Sequence, residues 1–143
     1  MEFYIFIALL VSLLWGAHPV VTKYLLSKYS VITLLLFSSA VYFYFIATVA
    51  IFRNKELTND LNKMTPNDAL ILISLAFFAV FMANSLYYYI LKDNSSSIVS
   101  ALIFSAPAFT LVLSYLFLKE SIRLYGLLGI LSIILGVVLI SQN

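Results

Sequence analysis

Hydrophobic positions fall into five long blocks, and the polar positions collect between them. The blocks cover Phe3–Leu26, Val31–Phe52, Ala69–Leu91, Ser97–Leu118 and Leu124–Ile140, and each predicts one helix. At about 1.5 Å per residue the longest extends about 36 Å and the shortest about 26 Å, which brackets a hydrocarbon core of about 30 Å. The connections are polar, and only the second, Arg53–Asp68, is long. Within it, Asn59-Asp60-Leu61-Asn62-Lys63 predicts a short interfacial turn. Thr65-Pro66-Asn67-Asp68 then reads as the cap of the third helix, with proline at an early position. A transmembrane β-barrel would need segments of roughly 10 residues that alternate apolar with polar. Ile71–Val80 and Leu131–Ile140 are apolar on all sides instead. The pattern therefore predicts an all-α integral membrane protein: one five-helix transmembrane domain over residues 1–143.

Composition agrees. Hydrophobic residues make up 64% and charged residues 10%, against about 45–50% and about 25% in typical globular proteins. A soluble fold would need a polar surface that so few charges cannot cover, whereas a lipid-facing surface needs none. The absence of cysteine excludes disulfides, thiolate metal sites and cysteine nucleophiles. A net charge of +2, with the basic residues in loops, supplies no patch for nucleic acid. The start, Met1-Glu2-Phe3-Tyr4, lacks the basic region of a signal peptide and leads into too long an apolar run, so it reads as the first retained helix. Five spans place the termini on opposite sides. The N-terminal side then carries Arg53, Lys55, Lys63, Lys119 and Arg123, and the other side Lys23, Lys28 and Lys92. Five against three is a weak bias toward N-inside, and it is also the pattern of a chain that inserts both ways. The expected location is the cell (plasma) membrane, spanned several times.

Polar groups in hydrocarbon are costly, which singles out a few positions. His18 stands next to Pro19, whose missing amide deprives the Trp15 carbonyl of its helical partner. Trp15, His18 and Thr22 share one face by their spacing, a strip suited to a solute; the alternative is packing, with Pro19 a plain kink. In the third helix Ser74, Phe81, Asn84 or Ser85, and Tyr88 fall along one side. Asn84 meets either solute or a neighbouring helix, and Tyr88 is the tyrosine of Tyr87-Tyr88-Tyr89 best phased to turn inward. In the fourth helix Pro107 frees the Ile103 carbonyl, with Ser100, Thr110 and Ser114 on that side. Their hydroxyls either repair the kink or line a cavity that it opens. Lys23, Lys119 and Glu120 read as boundary anchors. Gly129, Ser132 and Gly136 form a small-residue stripe that permits close packing, within the chain or in a dimer. With one histidine and no pair of intramembrane carboxylates, no catalytic residue, metal site or cofactor is expected, and His18 is the residue left for proton coupling. No ring of charges or filter-like loop points to a channel.

The second half carries a further pattern: Ser97-Ile98-Val99-Ser100-Ala101-Leu102, Ala106-Pro107-Ala108-Phe109-Thr110, Leu116-Phe117-Leu118-Lys119-Glu120, then Gly126, Gly129 and Gly136. This resembles the EamA-like domain of the drug/metabolite transporter superfamily, whose fourth helix carries an Ala-Pro-x-Phe-Thr run and ends in Gly-Glu or Lys-Glu. Trp15-Gly16 followed by Lys23 is similar to that domain's opening motif. The chain also resembles the small multidrug resistance proteins through Gly129 and Gly136, but they carry a glutamate in the first helix where this chain has Val11-Ser12-Leu13-Leu14. Carboxylate-based coupling is therefore not carried over. The resemblance implies a secondary transporter for a small organic solute, working by alternating access. Ten-helix members hold two inverted repeats with the substrate path between them, so a lone repeat would pair with an oppositely inserted copy, giving an antiparallel homodimer in membrane lipid. The alternative is a non-transporting subunit of a hetero-oligomeric carrier or lipid flippase.

Overall fold

The computed structural model of the protein describes residues 2–142, and every regular element among them is helical. In order these are α1 (Glu2–Leu26), α2 (Val31–Phe52), α3 (Asn54–Lys63), α4 (Pro66–Leu75), α5 (Ala83–Asp93), α6 (Ser96–Ile103), α7 (Ala106–Leu113) and α8 (Leu124–Ile140). A π-helical segment, Ala76–Met82, joins α4 to α5, and a second, Ser114–Leu118, follows α7. The runs Phe3–Leu26, Val31–Phe52, Pro66–Asp93 and Ser96–Leu118 are long and apolar enough to cross a membrane, and α8, with 17 residues, is a shorter apolar helix. At about 1.5 Å per residue α8 still reaches about 26 Å, close to the core thickness. The all-α membrane architecture expected from the pattern is what the chain adopts.

Local chemistry explains the starts. At α2 the Ser30 hydroxyl accepts from the Thr33 amide at 3.2 Å. At α4 Thr65 Oγ1 accepts from the Asp68 amide at 3.2 Å, and the Asp68 carboxylate accepts from the Thr65 amide at 3.1 Å and hydroxyl at 2.7 Å. This reciprocal box, with Pro66 in the first turn, satisfies amides that no helix can satisfy internally. The third apolar run consequently begins at Pro66, ahead of the expected Ala69. Hydroxyls inside the spans bond carbonyls one turn back, as hydrocarbon requires: Ser38 to Leu34, Thr48 to Tyr44, Ser74 to Leu70 and Ser132 to Leu128.

Three features differ from the expectation. The long connection holds the ten-residue helix α3 where a short turn was expected, and Arg53 and Glu56 form an exposed ion pair at 2.6 Å over its first turn. The third run is interrupted at its middle by the π segment Ala76–Met82. The fourth, expected as one helix over Ser97–Leu118, is divided at Phe104–Ser105 and ends in the second π segment.

The chain forms two compact units, Thr22–Lys92 and Met1–Val21 with Asp93–Asn143. In the first, the buried side chains are Thr22, Leu26, Leu34, Tyr88 and Leu91, at the end of α1, the start of α2 and the end of α5. In the second, α8 packs on α6 and α7, and Val99 is buried. Most of the large apolar side chains elsewhere are exposed, as lipid-facing surfaces require.

Candidate functional site

On α1 the helix runs through Pro19 without a break. Trp15 is 63% exposed and His18 is exposed, whereas Pro19 and, at 5%, Thr22 are buried. The shared strip thus divides: Trp15 and His18 stay accessible, and Thr22 belongs to the buried residues of the other unit.

The third run divides likewise. Tyr88 turns inward as expected and is 5% exposed, but Phe81 is 60% exposed and rests against Phe77, with ring centroids 5.9 Å apart. Phe81 lies in the π segment Ala76–Met82, every residue of which is exposed, whereas Tyr88 lies among the buried residues at the end of α5. Asn84 meets a neighbour of its own helix: Nδ2 donates to the Val80 carbonyl at 2.6 Å, and Ser85 Oγ donates to Phe81 at 2.7 Å. Both acceptors lie in the π segment, where the α-helical pattern of amide donors is disturbed. This bond holds the Asn84 side chain against its own helix.

In the fourth run Pro107 sits in the first turn of α7, where its missing amide costs nothing, so the chain breaks ahead of it. Phe104 and Ser105 take ψ values of 3° and −8°. At the break Ser105 Oγ donates to the Leu102 carbonyl at 2.7 Å, which also accepts from the Ser105 amide at 3.2 Å. Thr110 donates to Ala106 at 3.1 Å and Ser114 to Leu111 at 3.2 Å. The Ser100 hydroxyl is buried and has no hydrogen-bond partner. A shallow groove of about 280 Å³ lies along Thr110, Leu113, Ser114, Phe117 and Leu118. It is apolar, because the hydroxyls on its wall already serve their own helix. Beyond it Lys119 takes the left-handed conformation (φ 55°, ψ 31°), and the Glu120 amide donates to Ser114 O at 3.3 Å.

Lys23 has a role that the sequence did not reveal. Its Nζ donates to the carbonyls of Leu91 at 2.9 Å and Lys92 at 2.6 Å, the last turn of α5. Those carbonyls lack intrahelical amides and carry the negative end of the helix dipole, so an ammonium there ties α1 to α5. The partners lie 68 and 69 residues away, so no local pattern announces them.

On α8, a Cβ built on Gly129 or Gly136 meets nothing within 4 Å. The stripe is open rather than packed inside the chain. Among the described residues no group of three or more His, Asp or Glu is placed to hold a metal ion.

These features define an integral, multi-pass, all-helical membrane protein whose spans are interrupted by non-α backbone. The family model for the EamA-like transporter family matches residues 2–142, and the chain belongs to that family as a single repeat. An uncharacterized protein of Methanocaldococcus jannaschii is 44% identical over 62 residues, which make up 43% of this chain and 45% of that protein. The match therefore spans less than half of that relative's length. No solved structure matches the chain.

Proposed function

We propose that the protein carries a small organic solute across the cell membrane by alternating access, as a homodimer of oppositely inserted copies. The observation that carries this reading is the match of one transporter-family repeat to residues 2–142. The break at Phe104–Ser105 and the π segments support it, since irregular backbone is tolerated at membrane depth where it lines a cavity or is covered by protein. The open stripe at Gly129 and Gly136 supports a partner helix there. Trp15, His18, Ser100 and Thr110 are the proposed solute contacts, with Ser100 the donor awaiting an acceptor.

The test starts with a thermal-shift screen of amino acids, nucleosides and amphipathic metabolites on the purified protein. Compounds that raise the melting temperature are then followed into proteoliposomes. Saturable uptake above that of empty liposomes is expected; its absence for every stabilising compound would overturn the reading. Uptake should also depend on pH through His18, since histidine is the side chain whose charge ordinarily changes near neutral pH. His18→Gln keeps hydrogen-bonding capacity without titrating, so uptake measured across the pH range should lose that dependence. An unchanged profile would return His18 to a packing role.

A further inference from the structure

The helix α3 lies outside the apolar spans and is exposed throughout. Leu57, Leu61 and Met64 recur at the spacing of one helical face and are exposed. Lys55 and Lys63 each stand two positions from a stripe leucine, about 200° around the helix, and so occupy the opposite face. Glu56 and Asp60 each precede a stripe leucine by one position, which puts both carboxylates on one flank of the stripe.

The connections on either side fix where this face can go. Arg53 alone separates α3 from the end of the second span at Phe52, and Met64 and Thr65 alone separate it from the start of the third at Pro66. A ten-residue helix is only about 15 Å long. Both its ends are therefore held at the membrane boundary, and Phe52, whose exposed ring closes α2, continues the lipid-facing surface up to it.

From this geometry we propose that α3 is an interfacial helix lying along the bilayer surface. Leu57, Leu61 and Met64 are seated at the boundary between headgroups and acyl chains. The occupant of the stripe is lipid, and the polar face with Lys55 and Lys63 is turned to water. The charge arrangement makes the lipid preference specific. Arg53, at the start of α3, is already paired with Glu56 at 2.6 Å, Asp60 borders the stripe and two lysines point away, so α3 binds zwitterionic lipid and gains nothing from anionic lipid. This proposal concerns the membrane contact alone and is independent of any solute.

The chain contains no cysteine, so an introduced cysteine is a unique labelling site. Leu57→Cys, Leu61→Cys, Lys55→Cys and Lys63→Cys are each made in the full chain, spin-labelled and reconstituted in phosphatidylcholine vesicles. Collision with oxygen, which concentrates in lipid, is compared with collision with a water-soluble nickel chelate. The expected result is high oxygen and low nickel accessibility at 57 and 61, the reverse at 55 and 63, and no change when phosphatidylglycerol is added. Nickel accessibility at 57 and 61 equal to that at 55 and 63 would put the stripe in water and overturn the proposal. Protection from both reagents would show a protein partner or a second copy there, and would overturn it as well. A lipid signal that appears only with phosphatidylglycerol would refute the zwitterionic preference.

Discussion

A carbonyl in the last turn of a helix has no amide above it to accept from, and in a membrane protein water is not always at hand to replace one. Lys23 answers that shortage for Leu91 and Lys92 at the end of α5. Hydrogen bonds to a charged group contribute about 1.5–3 kcal/mol, and the partial exposure of this one lowers the figure. Lys23→Met, which keeps the apolar stem, is predicted to cost about 1–2 kcal/mol, while Lys23→Arg should retain part of that. Thermal unfolding in detergent, followed by circular dichroism, checks both; an unchanged midpoint in the methionine variant would show that the contact adds nothing. Ser100 presents the opposite case, a buried hydroxyl without a partner. Removing it should leave stability unchanged or raise it by up to about 1 kcal/mol. If the hydroxyl meets solute, Ser100→Ala also weakens uptake, so the pair of readouts separates a packing residue from a binding one. Both residues were visible in the sequence, but as different things. Lys23 reads as an anchor because its role depends on a distant helix end, and Ser100 reads as a candidate repair of the kink because the position of the break is not legible. Asn84 reads as a residue that needs a partner, and its Nδ2 has one in its own helix.

At the scale of the element, the helical blocks and the cap at Thr65–Asp68 were legible because both are local: one rests on hydropathy and length, the other on four adjacent residues. Interruptions are less local. Pro107 signals that an amide is missing, yet a kink within one helix and the start of a new helix satisfy that requirement equally, and the chain takes the second. The π segment Ala76–Met82 carries no proline or glycine, so nothing in the local sequence announces it. Lys119 shows how a motif acquires a reason from geometry: the EamA-like pattern admits glycine or lysine there, and the left-handed conformation is one that glycine adopts without a side-chain cost. The stripe on α8 makes its own prediction. Because Gly129 and Gly136 face open space, Gly129→Leu and Gly136→Leu should leave the fold of one chain intact. They should nonetheless weaken self-association, since close approach of two helices requires small residues. Size-exclusion chromatography with light scattering, together with circular dichroism, measures both properties. Two variants that remain dimeric would remove α8 from the interface.

For the whole molecule, the governing quantity is the distribution of Lys and Arg between the two ends of the spans. Hydropathy made the membrane and the number of apolar runs legible, and the order of short motifs made the family legible. Assembly was not, because a five-to-three bias is too small to settle one orientation. The central claim, that two copies insert oppositely to complete a carrier, is tested most directly by the sidedness of the C-terminus. Since the chain has no cysteine, Gln142→Cys gives a single reactive site beyond α8. Cells are treated with a membrane-impermeant maleimide before and after permeabilisation. The account predicts two populations, one labelled from outside and one only after permeabilisation, and two lysines added after Ile140 should shift the balance toward C-inside. A C-terminus found on one side alone, with or without the added lysines, would contradict the inverted homodimer.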